Sequence, residues 1–175
     1  LPKVIENLDT LPTQLYVSVD APNKEVFDEI CRPKWNAAAW DKFEETIDLL
    51  PSLDTRIVCR HTLIKGKNMN TEHIPQYAAL DNRADPDWIE CKGYVHVGNS
   101  RENLTAENMP FHEDILDFSR ALAPLTDRKL LDDSPPSRVA LVGKEIVPIP
   151  IPEATMQFPD DLGIAESIKH LKIVQ

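Results

Sequence analysis

A chain of 175 residues in which 42% are apolar can bury a sizeable core and form one domain, which excludes a largely disordered protein. Its 29 acidic side chains outnumber the 19 basic ones and give a formal net charge of −10, without a dense Lys/Arg run. A general phosphate-binding surface is thereby excluded, and any nucleic acid must be held by local patches.

The cysteines and the apolar runs bear on the compartment of the protein. Cys31, Cys59 and Cys91 are widely spaced and form no CxxC metal or redox pattern, which suits free thiols in a reducing compartment. The sequence has no membrane-length apolar run and no signal-peptide pattern, and it begins at Leu1 rather than Met. We therefore expect a soluble cytoplasmic protein without a membrane partner, excised from a longer chain.

The first part of the chain predicts one strand and two helices. Residues 14–23, QLYVSVDAPN, alternate apolar and polar side chains before a turn-prone end, as a strand with one apolar face does. Residues 24–31 predict a short helix. A second helix, which Pro51 ends, is predicted from apolar residues spaced by three and four positions: Trp35, Ala39, Phe43, Ile47 and Leu50.

Two further strands are predicted in the middle of the chain. Residues 56–64, RIVCRHTLI, are rich in β-branched side chains and predict a strand, which is followed by a loop at 65–68 and a modest helix within 72–82. Residues 88–93 predict a third strand. The polar loop after it contains Gly98-Asn99-Ser100.

The clearest helical pattern begins at Asn108, a residue type suited to an N-cap, with Pro110 in the first turn. One predicted face of this helix is apolar and consists of Phe111, Ile115, Phe118, Leu122 and Leu125. Residues 139–142 predict a fourth strand.

Alternating prolines mark a change of structure near the end of the chain. From Pro148 onwards they predict an extended arm, which precedes a short helix within 160–171. We therefore expect one domain over 1–147 and an appended arm over 148–175.

The alternation of strand and helix is typical of parallel βα units with right-handed crossovers. Four such units form only half of an eight-stranded barrel. An open sheet, a partial barrel and half of a larger barrel all fit the pattern, and a half barrel exposes strand edges that need covering. The sequence thus predicts an α/β protein of parallel βα units, with self-association through the open edge as one way to cover it.

Polar side chains share one face of the first three predicted strands, because side chains alternate along a strand. The set is Ser18, Asp20, Arg60, Thr62, Glu90 and Lys92. In a parallel barrel these residues face one lumen. We expect loop residues to join them at its mouth: Asn23, Lys65, Asn68, Asn99 and Ser100.

Two interpretations of this face are open. In the first, Arg60 pairs with Asp20 and Glu90 pairs with Lys92, and the charges only satisfy a polar interior. In the second, which we favour, unpaired charges at barrel strand ends form a ligand site. The opposite face is apolar, and we expect it to pack against helices: Leu15, Val17, Cys59, Leu63, Ile89 and Cys91.

The five histidines and two of the lysines are the remaining candidates for functional residues. None of the five histidines has a metal-ligand spacing, so no metal site is predicted. His61 is predicted to pack against a helix, whereas His112 is either a neighbour of a helix cap or a residue of the mouth. Lys65 and Lys92 lie at strand ends, where a lysine can form a Schiff base with a carbonyl compound or clamp a carboxylate or phosphate.

Four segments resemble, in order and spacing, the radical SAM tRNA 4-demethylwyosine synthases of wybutosine biosynthesis: QLYVSVDAPN, RHTLIKGKN, PDWIECKGYVHVGNSRENLTAENMPFHEDI and PPSRVALVG. The similarity runs from about Leu11 to Gly143 and corresponds to the C-terminal half of the radical SAM domain. Ser137-Arg138-Val139 is more similar to the archaeal branch than to the animal enzymes. The resemblance implies the C-terminal half of a partial TIM-type barrel.

The resemblance also implies an activity. The family consists of radical SAM lyases that cleave S-adenosylmethionine at a [4Fe-4S] cluster and join two carbons of pyruvate to N1-methylguanosine in tRNA-Phe. The family's CxxxCxxC cluster ligands are absent from these 175 residues. We therefore expect this chain to be inactive alone and to require the missing N-terminal half of the barrel.

Residue by residue, the resemblance assigns roles within the lumen and its mouth. Lys65 and Lys92 would be catalytic. The tRNA base or pyruvate would approach Ser100, Asn108 and His112. The cofactor-binding residues would be Ser18, Asp20, Asn23, Arg60, Asn68 and Glu90.

Other functions fit the same residues. A class I aldolase-like half barrel would use Lys65 or Lys92 as its Schiff-base amine. A non-catalytic RNA- or protein-binding module would have lost its cluster-binding half, although the net charge of −10 disfavours RNA binding. A different radical SAM enzyme acting on nucleotides is a further alternative, against which the long segment after Pro86 argues.

Overall fold

A computed structural model of the chain describes residues 2–34 and 38–148. Five strands form one mixed sheet in the order β1-β2-β3-β5-β4. Strands β1, β2 and β3 are parallel, β5 is antiparallel to β3, and β4 is antiparallel to β5. Their bounds are Gln14–Ser18 (β1), Arg56–Leu63 (β2), Trp88–Gly93 (β3), Lys129–Ser134 (β4) and Val139–Gly143 (β5).

The described residues also form five α-helices. Helix α4 contacts both α3 and α5, and α5 packs on β3, β4 and β5. The bounds are Pro2–Glu6 (α1), Lys24–Ile30 (α2), Ala39–Leu49 (α3), Ile74–Ala84 (α4) and His112–Leu122 (α5). Among the described residues, no helix has the length and apolar character needed to cross a membrane.

The core lies between the sheet and the helices. Every residue of the predicted apolar face belongs to it, fully buried from β2 and β3 and partly buried from β1. The helices contribute Ile47 from α3, Tyr77 from α4, and Ile115 and Leu122 from α5, which are all buried. The alternation of side chains along the first three strands is therefore confirmed.

The fourth predicted strand is wrong in its direction. Residues 139–142 belong to β5, which runs antiparallel to β3. The strand that follows α5 is β4, and a tight turn at Pro135–Ser137 returns the chain into β5, with Arg138 at φ 48° completing the turn. A connection this short joins only antiparallel strands, because a parallel pair needs a long crossover.

The predicted start of the last described helix is also wrong. Asn108 ends a short 3₁₀ turn, and α5 begins at His112. Phe111 is 74% exposed rather than buried, and Leu125 is 47% exposed. Trp35 and the predicted arm and helix beyond Pro148 lie outside the described residues, so the division at 147 stays a prediction.

Candidate active site at the carboxyl end of the parallel strands

The polar side chains predicted to share a face do lie together across β1, β2 and β3. Ser18 is paired in register with Arg60, and Arg60 with Glu90. One row further along, Thr62 is paired with Lys92. We call Ser18, Asp20, Arg60, Thr62, Glu90 and Lys92 the polar face.

An ion pair crosses the middle of the polar face. Arg60 Nη2 donates to Glu90 Oε2 at 3.1 Å, and Arg60 Nε lies 2.9 Å from Glu90 Oε1. The guanidinium carbon also lies 4.5 Å from the centre of the Tyr16 ring. The partners that the first interpretation assigned, Asp20 for Arg60 and Lys92 for Glu90, are wrong, because Arg60 and Glu90 pair with each other as direct cross-strand neighbours. These two residues are therefore not the unpaired charges that the second interpretation expected.

Lys92 is the second cation of the polar face, and unlike Arg60 it has no counter-ion in the described part of the chain. It is partly buried, and its ammonium group has no ion-pair or hydrogen-bond partner among residues 2–34 and 38–148. Its cross-strand neighbours in register are Thr62 and Val139, neither of which carries a charge. A partly buried ammonium group without a counter-ion is suited to bind a carboxylate or phosphate.

Asn68 fastens the carboxyl ends of β1 and β2 together. Its Nδ2 donates to the carbonyl oxygens of Asp20 and Thr62, both at 2.8 Å, and its Oδ1 accepts from Ile64 N at 2.6 Å. Asp20 Oδ1 in turn accepts from Thr62 N at 3.0 Å. Since the Asn68 side chain is fully buried, its amide positions the mouth of the site rather than facing a ligand directly.

Asn23 and Ser100 also hold loops at this end of the sheet. Asn23 caps α2, since its Oδ1 accepts from Val26 N at 2.9 Å. Ser100 Oγ donates to Val97 O at 2.6 Å and accepts from Tyr94 Oη at 2.8 Å. Both side chains therefore have a structural task in the loops that surround the polar face.

Lys65 and Asn108 connect the loop after β2 to the loop before α5. Lys65 N donates to Asn108 O at 2.9 Å, and Asn108 Nδ2 donates to Lys65 O at 3.0 Å. The Lys65 side chain is 50% exposed, and its Nζ lies 3.4 Å from Asp114 Oδ2. Lys65 is therefore already paired with an acid, in contrast to Lys92.

His112 forms a second acid–base pair at the same end of the sheet. Its Nε2 lies 2.7 Å from Asp133 Oδ2 at the end of β4. Its Nδ1 is buried without a hydrogen-bond partner in the described part of the chain. His112 thus directly follows Phe111, the N-cap residue of α5, and also lies beside the end of β4. Its role in the mouth stays a prediction.

Residues 83–144 match the family model for wyosine base formation, a range that contains Glu90, Lys92 and His112. The chain is also 40% identical over 152 residues to the S-adenosyl-L-methionine-dependent tRNA 4-demethylwyosine synthase of Pyrococcus horikoshii. The chain is a homologue of the tRNA 4-demethylwyosine synthases.

Other synthases of this family show the same similarity, and all are longer. The Methanocaldococcus jannaschii synthase is 39% identical, over 83% of this chain and 44% of its own length. The human synthase is 37% identical, over 71% of this chain and 16% of its own length. For the Pyrococcus horikoshii synthase the shares are 84% of this chain and 43% of the relative, so the chain spans less than half the length of these relatives.

Solved structures of the synthase family share the fold. A structure of TYW1 with a lysine–pyruvate adduct bound superposes with a TM-score of 0.72 at 37% identity, over 83% of this chain and 44% of that chain. A crystal structure of archaeal TYW1 superposes with a TM-score of 0.63 at 32% identity, over 82% of this chain and 43% of that chain. The mixed α/β sheet is therefore a fold of this family.

The cysteines of this chain do not fit an iron–sulfur cluster. Cys59 and Cys91 are buried on the helix side of the sheet, away from the polar face. Burial raises the pKa of the Cys91 thiol to about 12 and that of Cys31 to about 11, whereas cluster ligands are thiolates. The described residues contain no group of three or more potential metal ligands.

A buried pair below the mouth has no counterpart in the sequence predictions. His61 packs against α4 as expected, but its Nε2 also lies 3.0 Å from Asp81 Oδ2 and its Nδ1 lies 2.8 Å from Val19 O. Burial lowers the pKa of His61, but the Asp81 carboxylate and the Val19 carbonyl outweigh it and raise the pKa above its ordinary value. Sequence spacing carries no signal for this pair, which the packing of α4 on β2 creates.

Proposed function

We propose that this chain is the C-terminal half of the radical SAM barrel of a tRNA 4-demethylwyosine synthase. The whole enzyme would join two carbons of pyruvate to N1-methylguanosine in tRNA-Phe, in the cytoplasm. The observation that carries the proposal is the row formed by Ser18, Arg60 and Glu90, with Lys92 beside it, on parallel strands of a chain 40% identical to a named synthase.

The open edge of β1 supports a missing neighbour. Strand β1 is the first in the sheet order, so one of its edges has no partner strand among the described residues. A groove of about 560 Å³ lies beside it, lined mainly by apolar side chains that include Ile5, Leu15, Phe27 and Phe43. A preceding βα unit would pair with this edge and fill the groove, as barrel closure requires.

The polar face would bind and orient small molecules. The Ser18 hydroxyl is exposed at the end of β1 and is suited to a ribose hydroxyl of adenosylmethionine. The Arg60–Glu90 pair would fix the floor of the cavity. The loop that follows β1 would be held in place by Asp20, Asn23 and Asn68. Adenosylmethionine with a reduced cluster would supply the one-electron chemistry, and the cluster ligands would come from outside this chain.

Lys92 is the stronger candidate of the two catalytic lysines. It lacks a partner in the described structure, whereas Lys65 is half exposed and paired with Asp114. We infer that Lys92 binds the carboxylate of pyruvate. In a second arrangement Lys92 would form an imine with pyruvate instead, which the lysine–pyruvate adduct in the similar TYW1 structure supports. Borohydride trapping with pyruvate followed by peptide mass analysis separates the two, because only the imine leaves a covalent adduct.

The experiment that tests the proposed function joins this chain to the segment that precedes it in its gene. The joined polypeptide is expected to carry CxxxCxxC and, after cluster reconstitution, to convert N1-methylguanosine in tRNA-Phe to the tricyclic base, detected by nucleoside mass spectrometry. A joined polypeptide with a full cluster that forms no product from pyruvate would refute the proposal. That result would favour a different radical SAM enzyme acting on nucleotides, whereas a preceding segment without CxxxCxxC would favour a non-catalytic binding module.

A further inference from the structure

Phe111 presents its ring to solvent from a rigid backbone. At 74% it is the most exposed of the large hydrophobic side chains in the described chain. Its N–H donates to Asp114 Oδ2 at 2.8 Å, and its carbonyl oxygen accepts from Ile115 N at 3.3 Å. The preceding Pro110 is buried. Because the backbone at Phe111 is already held in place, binding a ligand to this ring costs little additional conformational entropy.

A lysine stands beside the ring. Lys65 Nζ lies 5.5 Å from the centre of the Phe111 ring. The same Asp114 oxygen that accepts from Phe111 N also holds Lys65 Nζ at 3.4 Å. Because Asn108 bonds the Lys65 backbone on both sides, two separate loops keep the ring and the ammonium group together.

This arrangement lies at the rim of the polar face. Lys65 follows β2 at its carboxyl end, and Phe111 directly precedes His112, which pairs with Asp133 at the carboxyl end of β4. Two valines of the loop after β3, Val95 and Val97, are exposed as well. An RNA approaching the polar face from this end would meet these groups first.

The chemistry of the rim matches an unpaired base of RNA. Single-stranded RNA is held by stacking bases on aromatic rings and by cations that contact the backbone. A double helix would offer no base face to Phe111, because its bases are stacked on one another inside the helix. One ring with one cation matches one nucleotide rather than a protein partner, whose interface would need a larger apolar patch.

We propose that Phe111 is a stacking platform for an unpaired nucleobase of the RNA substrate and that Lys65, which is half exposed, exchanges its contact with Asp114 for one with a neighbouring phosphate. The proposal rests on the proposed function in one respect, namely that the substrate is RNA. It adds the place where the RNA is held, which lies beside the polar face rather than within it.

The test measures binding of the 175-residue chain to a short RNA stem-loop with unpaired purines, by fluorescence anisotropy at low salt. Phe111→Ala is expected to weaken binding roughly five- to hundredfold, the effect of losing one base–aromatic stack. Phe111→Trp is expected to retain binding, and its added indole fluorescence is expected to be quenched by the RNA. Lys65→Ala is expected to lower the salt dependence by about one phosphate contact.

Leu125→Ala is the matched control, because Leu125 is also an exposed apolar residue but follows the opposite end of α5. It is expected to bind like the unchanged protein. The proposal is overturned if the unchanged protein binds no RNA, if Phe111→Ala binds equally well, if Leu125→Ala loses as much, or if a fully paired duplex competes as strongly as the stem-loop. Product formation by the joined polypeptide is read separately, so failure of the proposed function and failure of the platform are distinguishable.

Discussion

His61 and Asp81 form an ion pair that is completely buried beneath the carboxyl end of β2, with 3.0 Å between Nε2 and the carboxylate. Both ring nitrogens face acceptors, since Nδ1 lies 2.8 Å from Val19 O. The edge of the Tyr77 ring covers the imidazole at a centroid distance of 4.6 Å. The pair thus ties the end of β1 to α4 through the His61 side chain.

This pair predicts that stability falls as the pH rises. The pKa of His61 is raised in the folded protein above its ordinary value of 6.5. Its contribution is therefore fully present below pH 6.5 and is lost as the pH rises through the raised folded pKa. Urea midpoints measured across this range are expected to fall more steeply for the unchanged protein than for His61→Gln.

His96→Gln serves as the control for the histidine prediction, because His96 is partly exposed and bonds only a loop carbonyl. It is expected to keep the pH dependence of the unchanged protein. Asp81→Ala is expected to lower the free energy of unfolding by about 3–5 kcal/mol, the usual cost of breaking a buried pair. Identical pH slopes in the unchanged protein and His61→Gln would contradict the account.

Asn68→Ala is expected to destabilise the protein strongly. The change leaves Ile64 N and the carbonyls of Asp20 and Thr62 without their partner in a buried place. A cost of about 1–3 kcal/mol for each buried group left unsatisfied predicts a large loss in the free energy of unfolding by urea. Asn70→Ala, at an exposed position two residues away, should change it little; similar losses in both variants would count against this role.

Gly143→Ala is expected to disturb the end of β5, where Gly143 is paired in register with Trp88. A Cβ atom there would lie 2.7 Å from Trp88 Cδ1 and 3.1 Å from Asp87 O. Overpacking of this kind costs about 1–3 kcal/mol. Gly93→Ala should be milder, because the nearest atom would be Pro110 Cγ at 3.2 Å. Thermal unfolding ranks the two variants, and the reverse order would show that the neighbours of Gly143 move aside easily.

The polar face could be predicted from the sequence because it depends only on the two-residue period of strands. Ser18, Arg60 and Glu90 fall on one face whatever the neighbouring order, and the parallel register then aligns them. Their pairing could not be predicted, since it depends on which strands are adjacent and on the row each side chain occupies. Lys92 has no counter-ion because the uncharged Thr62 lies opposite it in register, while Glu90 pairs with Arg60.

Two errors of the sequence-based prediction, the missed strand β4 and the wrong start of α5, have local physical causes. Strand β4, KLLDDS, is an edge strand with acidic side chains, so it lacks the apolar alternation that identifies the inner strands. Phe111 continues the helical spacing of Ile115 and Phe118, but it stands at the cap position, where the side chain points out of the fold. The tasks of Asn23 and Asn68 as backbone partners were missed because amides suit ligands and loops equally well.

The account depends most on the inward-facing role of Lys92, and the pyruvate dependence of the joined polypeptide tests it most directly. Lys92→Ala is expected to raise the apparent KM for pyruvate about tenfold or more, the effect of losing a charge-assisted hydrogen bond, and Lys92→Arg is expected to recover part of it. Lys144→Ala, at an exposed lysine 3.9 Å from Asp85, should leave KM unchanged. Equal pyruvate dependence in Lys92→Ala and Lys144→Ala would contradict the account.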